Sequence, residues 1–416
     1  MWKRWRIRIL LFLAVLGPGF ITANVDTDSG GILTYSQAGA QFGYTLLWTM
    51  IPITIALIVV QEMCSRMGVV TGKGLSDLIR EEFGLRITVV LMVLLVVVNY
   101  TNVVTEFIGI AGSMHLFHVS KLISVPLCAF LVWVLVLRGD YKSTEKIFIV
   151  ASLVYITYVF AGVLSEPNWH EAVLATIKLP AASVWHDKAY IYMTIGVIGT
   201  TISPWMQFYL QSSIVEKGIR VKDYAASRLD VIVGCLFTDF IAWFIVVACA
   251  ATLFVHGMGA IQVAADAAEA MRPLAGDYAF LLFAFGLFNA SIFAASILPL
   301  STAYTVCEGL GVESGVDKSF KEAPFFYWLY ALLIAGGAIT VLVLPDAQLI
   351  NVAILSQVLN GVLLPVVIIL MLLLINRADL MGEYKNSRLW NWIAWATSII
   401  VIGMTFAMLW GMMPGH

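Results

Sequence analysis

Long apolar runs separated by short polar stretches dominate the chain. A bilayer core of roughly 30 Å needs about 20 apolar residues in a helix. Segments of that kind fall near 9–40, 46–67, 87–114, 121–137, 145–165, 190–214, 229–255, 278–308, 325–345, 347–375 and 391–413, which predicts eleven transmembrane spans. Two of them are interrupted. In span 1, Asn24-Val25-Asp26-Thr27-Asp28-Ser29-Gly30-Gly31 sets two carboxylates, two hydroxyls and a glycine pair into an otherwise apolar run. In span 6, Gly199-Thr200-Thr201-Ile202-Ser203-Pro204-Trp205-Met206-Gln207 contains a proline, which has no amide hydrogen and clashes with the preceding turn. Irregular backbone at membrane depth must be covered by protein or line a wet cavity. An ionisable side chain there is a functional-site hypothesis by default.

Taken alone, the second interruption also fits a plain proline kink. Its position argues for more, because spans 1 and 6 open two successive five-span halves. Paired broken helices at corresponding places are the sequence pointer to an inverted repeat with a substrate site near the midplane. The expected organisation is one transmembrane domain over 1–416, with repeats at about 9–165 and 190–375 and an additional helix at about 391–413. The longest outer stretch, 165–190, carries Trp169, Trp185 and Tyr190 and suits an interfacial segment.

Composition agrees with the pattern. Of 416 residues 61% are hydrophobic and 12% charged, and the mean hydropathy is +0.91. These values exclude an ordinary soluble domain. The net charge of −2 offers no basic surface for nucleic acid. With the N-terminus inside, only Lys121, Lys178, Lys188 and Arg272 of the 24 lysines and arginines fall outside. This is a strong positive-inside pattern, and an odd number of spans then places His416 outside, as expected for a plasma-membrane protein. Met1 to Arg8 before the first apolar run resembles a signal peptide, but no small-residue cleavage site follows, so the first helix is expected to be retained. Cys64, Cys128, Cys235, Cys249 and Cys307 lack metal-ligand spacing and read as small buried hydrophobes. There is no His-Glu-x-x-His, no phosphate loop and no Gly-x-Ser-x-Gly elbow. An enzyme is not expected, nor is a cofactor or an obligate protein partner.

Gly17-Pro18-Gly19-Phe20, Asp28-Ser29-Gly30-Gly31, Thr34, Gln37-Ala38-Gly39-Ala40 and Gly43-Tyr44 resemble the first helix of the NRAMP divalent-metal transporters. Glu106-Phe107-Ile108-Gly109 in span 3 and Tyr209-Leu210-Gln211-Ser212 in span 6 are similar to the same family. The resemblance implies an all-α polytopic fold of eleven transmembrane helices. In it a LeuT-like inverted repeat joins helices 1–5 to 6–10, helices 1 and 6 are broken, and helix 11 follows. It also implies a divalent cation as substrate, with Asp28 in the place of the family's metal-binding aspartate. The family's Asp-Pro-Gly-Asn reads Asp28-Ser29-Gly30-Gly31 here, and its Met-Pro-His reads Ser203-Pro204-Trp205 when aligned forward from Gly199. Aligned backward from Gln211-Ser212, the break holds one extra residue, so the helix 6 ligands stay open. The family's span 3 aspartate corresponds to Val103, and its histidines to Trp205 or Met206 and to Gln211.

These departures remove the soft thioether, the amide ligand of helix 1 and most of the proton relay, and loss of the Asn and Met side chains is expected to leave a wider pocket. Carboxylate, carbonyl and water suit Mg²⁺, Ca²⁺ and Mn²⁺, and Mg²⁺ keeps several waters around one or two carboxylates. The sequence therefore predicts a transporter of Mg²⁺, and also Mn²⁺, taken up largely hydrated and without proton coupling by alternating access. Its candidate metal site is Asp28, Gly31, Thr200, Thr201, Ser203 and Gln357. Asp26, Glu106, Gln207 and Asn360 are expected to line the vestibule or support that site. Gln357 is a ligand directly or through water, or else an interhelical hydrogen-bonding group; Asp26 is a vestibule carboxylate or a helix cap. Asp230 and Asp239 are expected to pair across helices or line the vestibule. A proton-coupled Mn²⁺/Fe²⁺ transporter is the nearer alternative, and an amino-acid transporter of the same architecture the more distant one.

Overall fold

The computed structural model describes residues 17–138, 150–257 and 272–411, together with Gly259, Ile261 and Ala268. The start of span 1, the start of span 5, most of the 258–271 stretch and the C-terminal residues that would report the outer terminus lie outside the described residues.

The described residues are helical. Span 1 is α1 (Pro18–Val25) followed by α2 (Ser29–Phe42). A 3-10 turn, Gly43–Thr49, leads to α3 (Met50–Thr71) and the short amphipathic α4 (Leu75–Phe83). Then come α5 (Leu85–His115), α6 (Lys121–Arg138), α7 (Ile156–Leu164) and α8 (Trp169–Ile177). Span 6 is α9 (Lys188–Thr201) and α10 (Pro204–Glu216). The remaining long helices are α11 (Tyr224–Cys249), α12 (Arg272–Leu310), α13 (Pro324–Val343), α14 (Asp346–Ile375) and, after the four-residue α15 (Ala378–Met381), α16 (Arg388–Gly411).

Among the described residues seven helical stretches are long and apolar enough to cross a membrane, or up to eight when the pair 150–164 and 169–177, bent by 117°, is taken as one span. That number falls below eleven for a physical reason. The breaks cut spans 1 and 6 into pieces of 8, 14, 14 and 13 residues. The stretch 29–71 runs through a 3-10 turn as one continuous helix, and 121–136 is a shorter apolar helix. Each of the eleven sequence segments contains helix.

The core follows from the short pieces. α11 packs along α1, α2 and α3; α9 lies against α14; and α12 runs beside α5. Both breaks are thus enclosed by long, regular helices that satisfy their own backbone. Gly199 makes the α9–α14 contact possible: a Cβ there would collide with the Gln357 carbonyl and the Gly361 amide. Leu, Ile, Val and Phe side chains on the outer faces of α5, α6, α13 and α16 are exposed, as lipid-facing surfaces require. Trp48, Trp185 and Tyr190 pack edge to face at one rim, Trp48 donating to the Tyr190 hydroxyl at 3.0 Å. Trp169 stacks on Trp243. All five cysteines are free and buried.

Candidate functional site

The break in span 1 starts from an uncapped helix. Gly17 precedes α1 without a capping side chain, so the first amides of α1 need acceptors from elsewhere. Asp230 of α11 supplies them, accepting from the amides of Gly17 at 2.8 Å, Gly19 at 2.8 Å and Phe20 at 3.1 Å. Gly19 permits the approach, since a Cβ there would stand 2.7 Å from Val231 Cγ2. Pro18 sits at the first helical turn, where its missing amide hydrogen costs nothing. The Gly-Pro-Gly sequence and Asp230 therefore form one device that anchors α1 by its N-terminus. The local sequence shows the uncapped start; the acceptor more than 200 residues away is visible only in the fold.

α1 ends at Val25 and α2 begins at Ser29, with Asp28 as its N-cap. The Asp28 carboxylate accepts from the Gly31 amide at 2.6 Å, the pattern expected of an aspartate at a helix start. Asp28 is buried, with 3% of its surface exposed. The Glu106 carboxyl of α5 is its near electrostatic neighbour. Glu106 in turn accepts from the amide of Ser29 at 3.2 Å and from its hydroxyl at 3.0 Å, while the other Glu106 oxygen is buried without a partner. Two carboxyl groups side by side in a dry interior hold a proton or a cation between them.

Gly30 and Gly31 let the opposite helices close on this point. A Cβ on Gly30 would collide with the Gln357 amide, and one on Gly31 would lie 2.6 Å from the Asp26 carbonyl and 3.2 Å from the Thr200 hydroxyl. Asp28, Gly31, Thr200 and Gln357 thus surround one small volume. The space released by the absence of a side chain at position 31 is filled by backbone; the wide standing pocket that the sequence suggests is closed in this conformation. The Thr200 hydroxyl is buried without a partner and faces this volume.

The other candidates are engaged elsewhere. Thr201 donates to the Val197 carbonyl at 2.7 Å and meets the Tyr35 hydroxyl at 2.7 Å. The Ser203 hydroxyl reaches the carbonyls of Gly199 at 2.9 Å and Thr200 at 3.0 Å, which closes the end of α9. Gln207, turned so that its amide nitrogen faces them, donates to the Ser203 and Pro204 carbonyls at 2.7 Å. Gln357 accepts from Asn360 at 2.9 Å and donates to Ser356 at 3.0 Å. Asn360 pairs reciprocally with Asn102 of α5 at 3.0 Å. Ser356 meets Thr105 at 3.0 Å, and the Thr105 carbonyl accepts from Ser29 at 2.8 Å. A continuous polar chain therefore runs from α14 through α5 to the start of α2.

Asp26 and Asp239 stand on the far side of the break, both buried, with neither making a hydrogen bond through its carboxylate. No group of three His, Cys, Asp or Glu side chains converges at metal-binding distance among the described residues. What the arrangement provides at Asp28 is one or two carboxylates, a free hydroxyl and backbone oxygen.

Comparison with known proteins follows the same lines. The chain is 25% identical over 410 residues to the divalent metal cation transporter MntH of Klebsiella pneumoniae, with 97% of this chain and 95% of that protein covered. The crystal structure of the Eremococcus coleocola manganese transporter matches 94% of this chain and 85% of its own, with a TM-score of 0.75 at 21% identity. A nucleobase-cation-symport-1 family transporter in a closed conformation matches 94% of this chain and 92% of its own, with a TM-score of 0.53 at 15% identity. These two likenesses show the fold. The family model described as natural resistance-associated macrophage protein-like matches residues 19–411, nearly the whole chain, and the protein is a member of that family.

Proposed function

We propose that the protein carries divalent cations across a membrane through the Asp28 site, taking Mg²⁺, and also Mn²⁺, largely hydrated and without proton coupling. The divalent-cation class rests on membership of the family and on relatives named divalent metal cation transporters. The observation that carries the choice of ion is the donor set. Asp28, Thr200 and the surrounding backbone offer oxygen alone, and among the described residues no group of three acidic, imidazole or thiol ligands forms there. A site with so few protein ligands suits an ion that keeps part of its own water, as Mg²⁺ does. Because the volume at Gly31 is closed here, a hydrated ion enters only after the break opens. This fits alternating access, with the repeats at 9–165 and 190–375 moving about the site. The same reading keeps the N-terminus cytoplasmic and the C-terminus outside the plasma membrane. The membrane potential would then drive uptake, acting at about 2.3 kcal/mol per charge per 100 mV.

One contact favours a second reading. The Asp28–Glu106 carboxyl pair can hold a proton that an arriving metal displaces, as proton-coupled Mn²⁺ or Fe²⁺ transport requires. Uptake of Mg²⁺, Mn²⁺ and Ca²⁺ into proteoliposomes, with lumenal pH followed in parallel, separates the two. The uncoupled reading expects Mg²⁺ uptake at constant lumenal pH, retained in Glu106→Gln. Acidification that accompanies metal uptake and disappears in Glu106→Gln establishes the coupled one. Robust Mn²⁺ uptake with none of Mg²⁺ overturns the hydrated-ion argument.

A further inference from the structure

Asp26 and Asp239 form a second pair of buried carboxylates beside the break of span 1. Asp26 follows α1 as its C-cap, and Asp239 lies in the middle of α11, 213 residues later. They are 2% and 5% exposed, and Asp239 acts electrostatically on Asp26. All four carboxylate oxygens lack a hydrogen-bond partner. The groups around them explain why. Thr54 of α3 faces Asp239, and its hydroxyl donates to the Met50 carbonyl of its own helix at 2.6 Å. The Thr27 and Thr238 hydroxyls, one beside each aspartate, satisfy each other at 2.7 Å and lock the break of span 1 against α11. The Tyr35 hydroxyl is paired with Thr201 at 2.7 Å.

Two buried carboxylates, brought together by the Thr27–Thr238 contact, thus present four acceptor oxygens with no hydrogen bond to answer them. Leaving such groups uncompensated costs several kcal/mol for each ion. A cation is the species that satisfies acceptors alone. Two formal negative charges and hard oxygen donors select a divalent one, completed by water. We infer that Asp26 and Asp239 hold a second divalent cation, at a site distinct from Asp28 and on the α11 side of the same break. The backbone links the two, because the Asp26 carbonyl is the group that fills the space beside Gly31. An ion at the second site pulls on the loop that closes the first.

The inference stands independently of the reading of Asp28 as the cargo ligand, and ion counting keeps the two apart. Mn²⁺ is titrated into the full-length protein in lipid nanodiscs, with free Mn²⁺ followed by electron paramagnetic resonance. The wild type is expected to bind two ions per chain. Asp239→Asn is expected to bind one, retained at Asp28; Asp28→Ala is expected to bind one, retained at Asp239; and the double variant is expected to bind none. Asp239→Glu, which keeps the charge, should restore two. A wild-type count of one overturns the second site, as does an Asp239→Asn count equal to wild type. If Asp239→Asn fails to fold, as judged by size exclusion, the wild-type count and the Asp239→Glu count decide. Binding that survives Asp28→Ala undiminished overturns the Asp28 assignment instead.

Discussion

The two broken spans look alike in outline and differ in what their polar groups are free to do. In span 1 the break leaves capacity unspent: Asp28 uses one oxygen on the Gly31 amide, and Asp26 uses neither of its own. In span 6 the break largely satisfies itself. Ser203 closes the carbonyls at the end of α9, Gln207 closes those at the start of α10, and Thr201 is held by Val197 and Tyr35. Two groups are exceptions, the Thr200 hydroxyl, buried, unpartnered and turned toward Gly31, and the buried Trp205 indole N–H, also without a partner. Span 1 thus supplies charge, whereas span 6 supplies a hinge and one hydroxyl. A site built this way depends strongly on one helix and weakly on the other, and substitutions should show that inequality.

The largest effect is expected at Asp28. Asp28→Ala removes the carboxylate and the cap of α2 together, and should abolish divalent-cation uptake into proteoliposomes and lower the number of ions bound per chain by one. The cap alone is worth about 1 kcal/mol, too little to unfold the protein, so retained uptake would show that Asp28 does not hold the transported ion. Next comes Asp230, which anchors α1 through three amides. Hydrogen bonds to a charged group contribute about 1.5–3 kcal/mol each where they are buried. Asp230→Ala should therefore lower the midpoint of thermal unfolding clearly and loosen α1, seen as faster amide hydrogen exchange over 18–25. Unchanged exchange there would mean that the α1 anchor lies elsewhere.

Gly31→Asn ranks below these. It restores the residue that the family carries at this position, but its Cβ would stand 2.6 Å from the Asp26 carbonyl. Such overpacking costs about 1–3 kcal/mol unless the loop shifts. Uptake should fall without being lost, and the discrimination between Mg²⁺ and Mn²⁺ should move toward Mn²⁺ in competition assays. Improved Mg²⁺ transport would contradict the argument that open backbone at position 31 serves a hydrated ion.

How much of this was legible beforehand differs from residue to residue. Span lengths and both breaks follow from apolar run length and local pattern, which are properties of neighbours in sequence, while the choice of Asp28 over Asp26 is what the resemblance to the family's motif implies. The anchoring role of Asp230, the meeting of Asp26 with Asp239 and the chain from Asn360 to Ser29 join residues between 76 and 258 positions apart. No local pattern encodes those meetings. At Gly31 the sequence suggests an open pocket, because a missing side chain reads as space until the fold shows which backbone atom moves in. Ser203, expected as a ligand, and Gln207, expected to line the vestibule or support the site, close backbone carbonyls in this conformation. A hydroxyl or an amide near a break is equally suited to an ion and to the orphaned carbonyls of the helix ends, and only the structure shows which partner is closer.

The weak half of the comparison is tested by Ser203→Ala. The hydroxyl is shared between two carbonyls of its own helix, and a hydrogen bond of that kind inside a membrane protein contributes about 0.6 kcal/mol on average. Its loss leaves the carbonyls of Gly199 and Thr200 less satisfied while leaving Asp28, Glu106 and the Thr200 hydroxyl in place. Uptake should then change by less than about threefold, which corresponds to that energy, and the apparent affinity for Mg²⁺ should stay close to wild type. Thr200→Val, which deletes the one free hydroxyl of span 6 at nearly constant volume, should weaken Mg²⁺ more than Ser203→Ala does. The order of those two variants is what matters. If Ser203→Ala were the more damaging, the hydroxyl closing α9 would be reaching the ion in the transporting state, and span 6 would be a ligand helix rather than a hinge.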